Sequence, residues 1–208
     1  MLPIITIARQ YGSGGHEIGE KLAERLNIPF YDRELIALAA KKSGYSMDVF
    51  EDADEKASNS LLYSMVMGDY VYGGRVSPMG AMPINDRLFM IQAEIITEAA
   101  NKGSCVIIGR CADYVLREHK NLLRVFIYAD KADRVKRTLE KGEADEKRVS
   151  DFITKKDKQR SHYYNFYSNN RWDDMMHYDL ALNLSTFSID EAVEILEKAY
   201  SGVHSNNK

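Results

Sequence analysis

The sequence predicts an α/β fold in which a parallel sheet is covered by helices on both faces. Short apolar runs bounded by turn residues alternate with segments of helical periodicity along the 208-residue chain. These runs are near-continuous in Ile, Val and Leu, as strands buried on both faces are. The first run also passes through a glycine-rich turn, Gly12-Ser13-Gly14-Gly15, directly into the first helical segment.

Ile4 to Ala8 reads as a short buried strand. From His16 to Leu26 the pattern turns helical, with Ile18, Leu22 and Leu26 on one face and charged residues around the rest. Asn27-Ile28-Pro29 stops it, since Pro29 lacks an N–H and restricts the residue before it. Phe30-Tyr31-Asp32 forms a second strand, and Asp32 is also placed to cap a helix opening at Arg33. The stretch from Lys42 to Pro83 combines an acidic patch with a piece rich in Tyr, Met and Gly. It reads as a helical insertion and a mobile connection, longer than α/β connections usually are, with the composition of either a homodimer surface or a loop.

A helix from Asn85 to Asn101 follows, with Leu88, Ile91, Ile95 and Ala99 sharing a face. Ser104 to Gly109 is a strand, Ala112 to Glu118 a short helix, and Leu123 to Tyr128 a further strand. Lys131 to Tyr167 is charged and largely helical, Asp179 to Leu184 is the last strand, and Ile189, Val193 and Leu196 mark a closing helix.

Hydrophobic content of 45%, charged content of 28% and a net charge of −3 fit an ordinary globular protein without overall basic character; a local basic site stays open, but no nucleic-acid partner is expected. No apolar segment approaches the ~20 residues of a membrane span, and no signal peptide precedes the first strand, so a cytoplasmic protein is expected. The two cysteines, Cys105 and Cys111, have no zinc or disulfide spacing and read as buried thiols. The five histidines show no metal-ligand spacing, and no structural metal is expected.

The glycine turn carries the chemistry. Residues without a Cβ let backbone N–H groups converge, and the following helix presents its positive end, a combination that suits a di- or triphosphate. Ser13 offers a hydroxyl, and Arg9 and His16 offer positive charge. A tight turn that merely joins strand to helix is the competing reading; the strand–turn–helix context favours phosphate. The turn departs from a Walker A sequence, because Gly15 stands at the lysine position and Glu17 at that of the metal-binding hydroxyl.

Ile5 to Gly19, the following Lys-Leu-Ala-Glu-Arg-Leu, and Pro-Phe-Tyr-Asp-Arg-Glu-Leu-Ile resemble the cytidylate kinase-like family, a divergent branch of the P-loop nucleoside monophosphate kinases. The likeness continues at Ile107-Ile108-Gly109-Arg110, at Val125 to Ala129 with Arg134 and Arg137, at Asp157 to Arg160 with Tyr163-Tyr164, and at Tyr178-Asp179-Leu180 with Asn183. It implies a single three-layer P-loop NTPase domain over residues 1–208, with a five-stranded parallel sheet. A substrate-binding helical insertion at about 42–84 and a helical lid at about 138–172 complete it.

It also implies a transferase that moves a phosphoryl group from ATP, with Mg2+ arriving on the nucleotide, to a nucleoside monophosphate such as CMP or dCMP. Gly12, Ser13, Gly14, Gly15, His16 and Glu17 would hold ATP; Asp32, Arg33, Arg110 and Asp113 would hold the acceptor. Arg110, Arg137 and Arg160 would act on the transferred group, because lid cations stabilise its charge. Arg134, Lys155, Lys156 and Lys158 read as solvent face, and the aromatics from Tyr163 to Tyr167 with Trp172 as core. Gly15 and Glu17 leave open a kinase for another small acceptor, or a nucleotide-binding regulatory module without catalysis.

Overall fold

A computed structural model describes residues 3–32 and 84–205. The helix expected to open after Asp32, Arg33 with it, and the insertion up to Pro83 lie outside the described residues. The chain runs β1 (Ile4–Arg9), α1 (Gly15–Leu26), β2 (Phe30–Tyr31), α2 (Ile84–Lys102), β3 (Val106–Ile108) and α3 (Ala112–Val115). It continues through β4 (Leu122–Tyr128), α4 (Lys131–Glu140), α5 (Val149–Ser168), a 3-10 turn at Met175–His177, β5 (Leu180–Asn183) and α6 (Ile189–Ser205).

The five strands form one sheet in the order β2-β3-β1-β4-β5, and every pairing is parallel. The three-layer arrangement follows from side-chain alternation along the strands. Ile5 and Ile7 of β1, with Val125 and Ile127 of β4, point into one core, which Ile18 and Leu22 of α1 and Val193 and Leu196 of α6 complete. Ile4 and Ile107 point to the opposite face, against Ile96 of α2 and Leu116. Each such fully buried side chain contributes roughly 1.5–3 kcal/mol relative to exposure.

A third cluster covers that second face near the C-terminal ends of the strands. Phe126 packs against Trp172 with ring centroids 5.2 Å apart and against Tyr178 at 4.9 Å, and Ala8, Cys111 and Tyr164 close round them. The expected core role of Tyr164 and Trp172 holds, whereas Phe166 is exposed. The charged segment after β4 forms two helices, and Gly142 takes a left-handed φ of 65° just after the first of them, α4. Both cysteines are buried. No described helix is long and apolar enough to cross a membrane.

Candidate phosphate-binding site

In a parallel sheet the strands all end on the same edge, and loops leaving that edge build the ligand site. Here β1 delivers the glycine turn, β2 delivers Asp32, and β3 delivers Gly109 and Arg110. β1 lies between β3 and β4, so the turn occupies the middle of the edge.

The turn is shaped by left-handed residues. Gly12 has φ 73° and Gly14 φ 90°, conformations that cost a residue with a Cβ about 1 kcal/mol or more. Gly14 is also the N-cap of α1, and no side chain caps the helix. The Ile18 N–H is the first to close back, onto the Gly14 carbonyl at 3.1 Å. The amides of the first turn of α1 therefore point outward beneath the positive end of a 12-residue helix, as a phosphate requires. Ser13 is fully buried, and its hydroxyl donates to the Gln10 carbonyl at 2.9 Å. It shapes the loop from within.

The elements after β4 clamp this turn. The Tyr11 N–H donates to Asp157 Oδ1 on α5 at 2.7 Å, and Asp157 Oδ2 takes a hydrogen bond from Arg134 Nη1. Arg134 is buried, not on the solvent face expected of it, because Asp157 balances its charge and the carbonyls of Ala129 and Tyr11 accept from it. Arg137 donates to the Ser13 carbonyl at 2.8 Å and the Leu184 carbonyl at 3.0 Å. Its guanidinium thus grips the back of the turn. The Tyr11 hydroxyl donates to Glu143 at 2.8 Å, and burial together with that carboxylate pushes its pKa up to about 12.

Arg160 sits deeper. It donates to the Arg9 carbonyl at 2.9 Å, and its guanidinium lies over the Tyr11 ring, 5.1 Å from the centroid. Burial lowers its pKa and Arg110 lowers it further, while Asp157 opposes both. Arg110 follows β3 in an unusual backbone: Gly109, Arg110 and Cys111 take φ of 69°, 57° and 54° in succession. Left-handed geometry costs a non-glycine residue about 1–2 kcal/mol, and such outliers concentrate at functional sites. The run turns the chain sharply enough for the Ala112 N–H to reach the Gly109 carbonyl at 3.0 Å. It leaves the Arg110 guanidinium 5.8 Å from the Tyr163 ring centroid.

The expected site residues separate into two groups. Gly12, Gly14, Gly15, His16, Asp32, Arg110 and Arg160 gather on the strand-end edge. His16 Nε2 lies 3.2 Å from Asp32 Oδ2, with its ring edge-on to Phe30 at 5.3 Å. Asp113 is turned away from the acceptor role given to it. The left-handed run rotates it into the core, where it accepts from the Tyr164 hydroxyl at 2.7 Å and burial raises its pKa. Glu17 is exposed and pairs with Lys21 at 3.7 Å, one turn along α1. Arg137 acts on the backbone of the turn. Lys155 and Lys158 are exposed, as expected of a solvent face.

Sequence reasoning assigned Arg9 only general positive charge, yet its side chain lies at the centre of the site. A Cβ built on Gly15 would meet Arg9 Cβ at 2.7 Å and Cγ at 3.1 Å, and one built on Gly109 would collide with Arg9 Nη1. The signal that locates it is the pair of glycines flanking its path. Among the described residues no group of three or more His, Cys, Asp or Glu side chains is placed to hold a metal ion.

A model of the cytidylate kinase-like family matches residues 4–186. The chain belongs to the cytidylate kinase-like family. The structure of an uncharacterized protein from Eubacterium ventriosum is 30% identical, with a TM-score of 0.72, covering 96% of this chain and 99% of that one. Shikimate kinase from Bacteroides thetaiotaomicron has a TM-score of 0.54 at 14% identity, covering 97% and 99%. A gluconokinase from Sinorhizobium meliloti has 0.51 at 13%, covering 99% and 98%. The latter two share the fold, a P-loop kinase fold. A comparison with curated proteins gives no significant match. Membership of a kinase-like family, on a P-loop kinase fold, supports phosphoryl transfer in general.

Proposed function

We propose that this protein transfers the γ-phosphoryl group of ATP to a nucleoside monophosphate, with CMP or dCMP as acceptor. The reading rests chiefly on the uncapped N-terminus of α1 opening onto the same sheet edge as Arg110 and Arg160. ATP would lay its phosphates over Gly12 to Gly15, and Arg110 would hold the acceptor phosphate through a planar fork suited to its oxygens. An acceptor oxygen attacks the γ-phosphorus, the bond from that phosphorus to the bridging oxygen breaks, and ADP leaves with the electron pair. A phosphate acceptor already carries the attacking charge, so no general base is needed. Positioning and charge carry the catalysis.

The transferred group spreads its charge over equatorial oxygens, and Arg160, whose Nη1 donates to the Arg9 carbonyl, would offset it from the lid region. Arg137 serves the reaction by fixing the Ser13 carbonyl. Magnesium would enter with ATP, neutralising phosphate charge. Glu17 is drawn to Lys21, and Asp32, at the strand edge beside His16, would face a nucleotide-borne cation. A cytoplasmic location fits such a reaction.

ADP formation from Mg-ATP with a panel of monophosphates, and with shikimate and gluconate as phosphate-free acceptors, tests the proposal. Turnover with CMP or dCMP is expected, and Arg110→Ala should raise acceptor KM far more than it weakens ATP binding. No turnover with any acceptor while ATP still binds would overturn it. That result would favour the regulatory reading, which the missing lysine at position 15 supports.

A further inference from the structure

Phosphoryl transfer places the most charge between donor and acceptor, and a P-loop normally sends a lysine there from the turn. Position 15 has no room for one. Any Cβ there would fall 2.7 Å from Arg9 Cβ and 3.2 Å from Ile127 Cβ. What fills the space is the stem of Arg9, the last residue of β1. It runs past Gly15 and ends against Gly109, where the absence of a Cβ makes room for Nη1. The guanidinium is therefore lodged between the phosphate turn and the strand end that carries Arg110.

Two other arginines of this region are committed: Arg134 and Arg137 donate to carbonyl or carboxylate oxygens. Arg160 gives Nη1 to the Arg9 carbonyl. Among the described residues none accepts a hydrogen bond from the Arg9 guanidinium. Asp32 is near enough to favour its charge but is engaged with His16. Burial, with Arg160 and Arg110 of like sign, drives its pKa well down. Like charges that face one another here repel, and an anion between them would relieve that repulsion.

We propose that Arg9 supplies from the strand the phosphate-binding cation that the turn lacks at position 15, and that its ligand is a polyphosphate chain. The inference rests on the phosphate-binding reading of the turn but not on the identity of the acceptor. The guanidinium reaches the site beside Gly109 and so bridges the donor phosphates and the group held by Arg110. Its planar fork presents two donors in fixed, parallel directions, a geometry that a lysine ammonium does not preorganise.

Arg9→Met keeps the stem and removes the charge. Calorimetric titration with pyrophosphate and with ATP should show at least about a tenfold loss of affinity for both. In anion-free buffer the variant should melt at or above wild type, since a like-charge contact has gone. Arg9→Lys should recover part of the affinity. Wild-type affinity in Arg9→Met would overturn the proposal and leave the kinase reading standing if turnover persists. A variant that melts below wild type, or fails to fold, would show that Arg9 supports the structure, and the proposal would fall. If wild-type protein binds neither pyrophosphate nor ATP, the phosphate reading fails with it.

Discussion

Restoring a lysine at position 15 is expected to damage this protein. The added Cβ would enter a buried space bounded by Arg9 Cβ at 2.7 Å, Arg9 Cγ at 3.1 Å and Ile127 Cβ at 3.2 Å. None of these is the loose end of a side chain, since each lies at or near a backbone held in β1 or β4. Overpacking of that kind costs about 1–3 kcal/mol, and loss of a helical glycine returns at most about 1 kcal/mol. With the full return the net cost is about 0–2 kcal/mol, and for a chain of this length Tm should fall by up to roughly 8 °C. Gly15→Ala isolates the steric part, and Gly15→Lys adds the charge. Thermal unfolding of both variants, followed by ATP titration, separates the effects. Both should melt lower than wild type, and the lysine should not improve ATP binding. If Gly15→Ala melts at or above wild type, or Gly15→Lys binds ATP more tightly, the packing argument is refuted.

Asp157→Ala should cost about 3–5 kcal/mol in urea unfolding, because it strands the buried Arg134 guanidinium and removes the acceptor of the Tyr11 N–H. Asp157→Asn keeps that acceptor and should cost less; an alanine variant as stable as wild type would show the clamp to be dispensable. Asp113→Asn should stabilise the fold at neutral pH. The folded pKa of Asp113 is raised above 3.8, so its burial penalty is absent below the unfolded value, grows as pH rises toward the folded value, and is constant beyond it. The Tm advantage of the asparagine should therefore shrink toward zero as pH is lowered to about 4. An advantage independent of pH would show that the carboxyl does not titrate in this way.

The alternation of elements was legible because it depends on local pattern. Ile18 and Leu22 recur at helical spacing, and both are fully buried under the sheet. The glycine turn was legible because strand, turn and helix are contiguous in sequence. Asp113 was misplaced for the opposite reason. Its direction is set by successive left-handed residues before it and by Tyr164, 51 positions away. Neither leaves a mark near Asp113. Arg137 and Arg160 were expected to act on the transferred group; that each holds backbone, at Ser13 and Arg9, depends on hydrogen bonds that cross 124 and 151 positions. Arg9 was underrated because a sequence records what a glycine lacks, not which neighbour uses the space.

The 2.7 Å approach between positions 9 and 15 also constrains the order in which this site can change by mutation. The two residues share one volume, so any side chain at position 9 obstructs one at position 15. A lineage regaining the turn lysine would first have to shed the Arg9 side chain, passing through a form with neither cation. Such a valley separates two workable solutions to one electrostatic demand, and single substitutions from this sequence do not cross it.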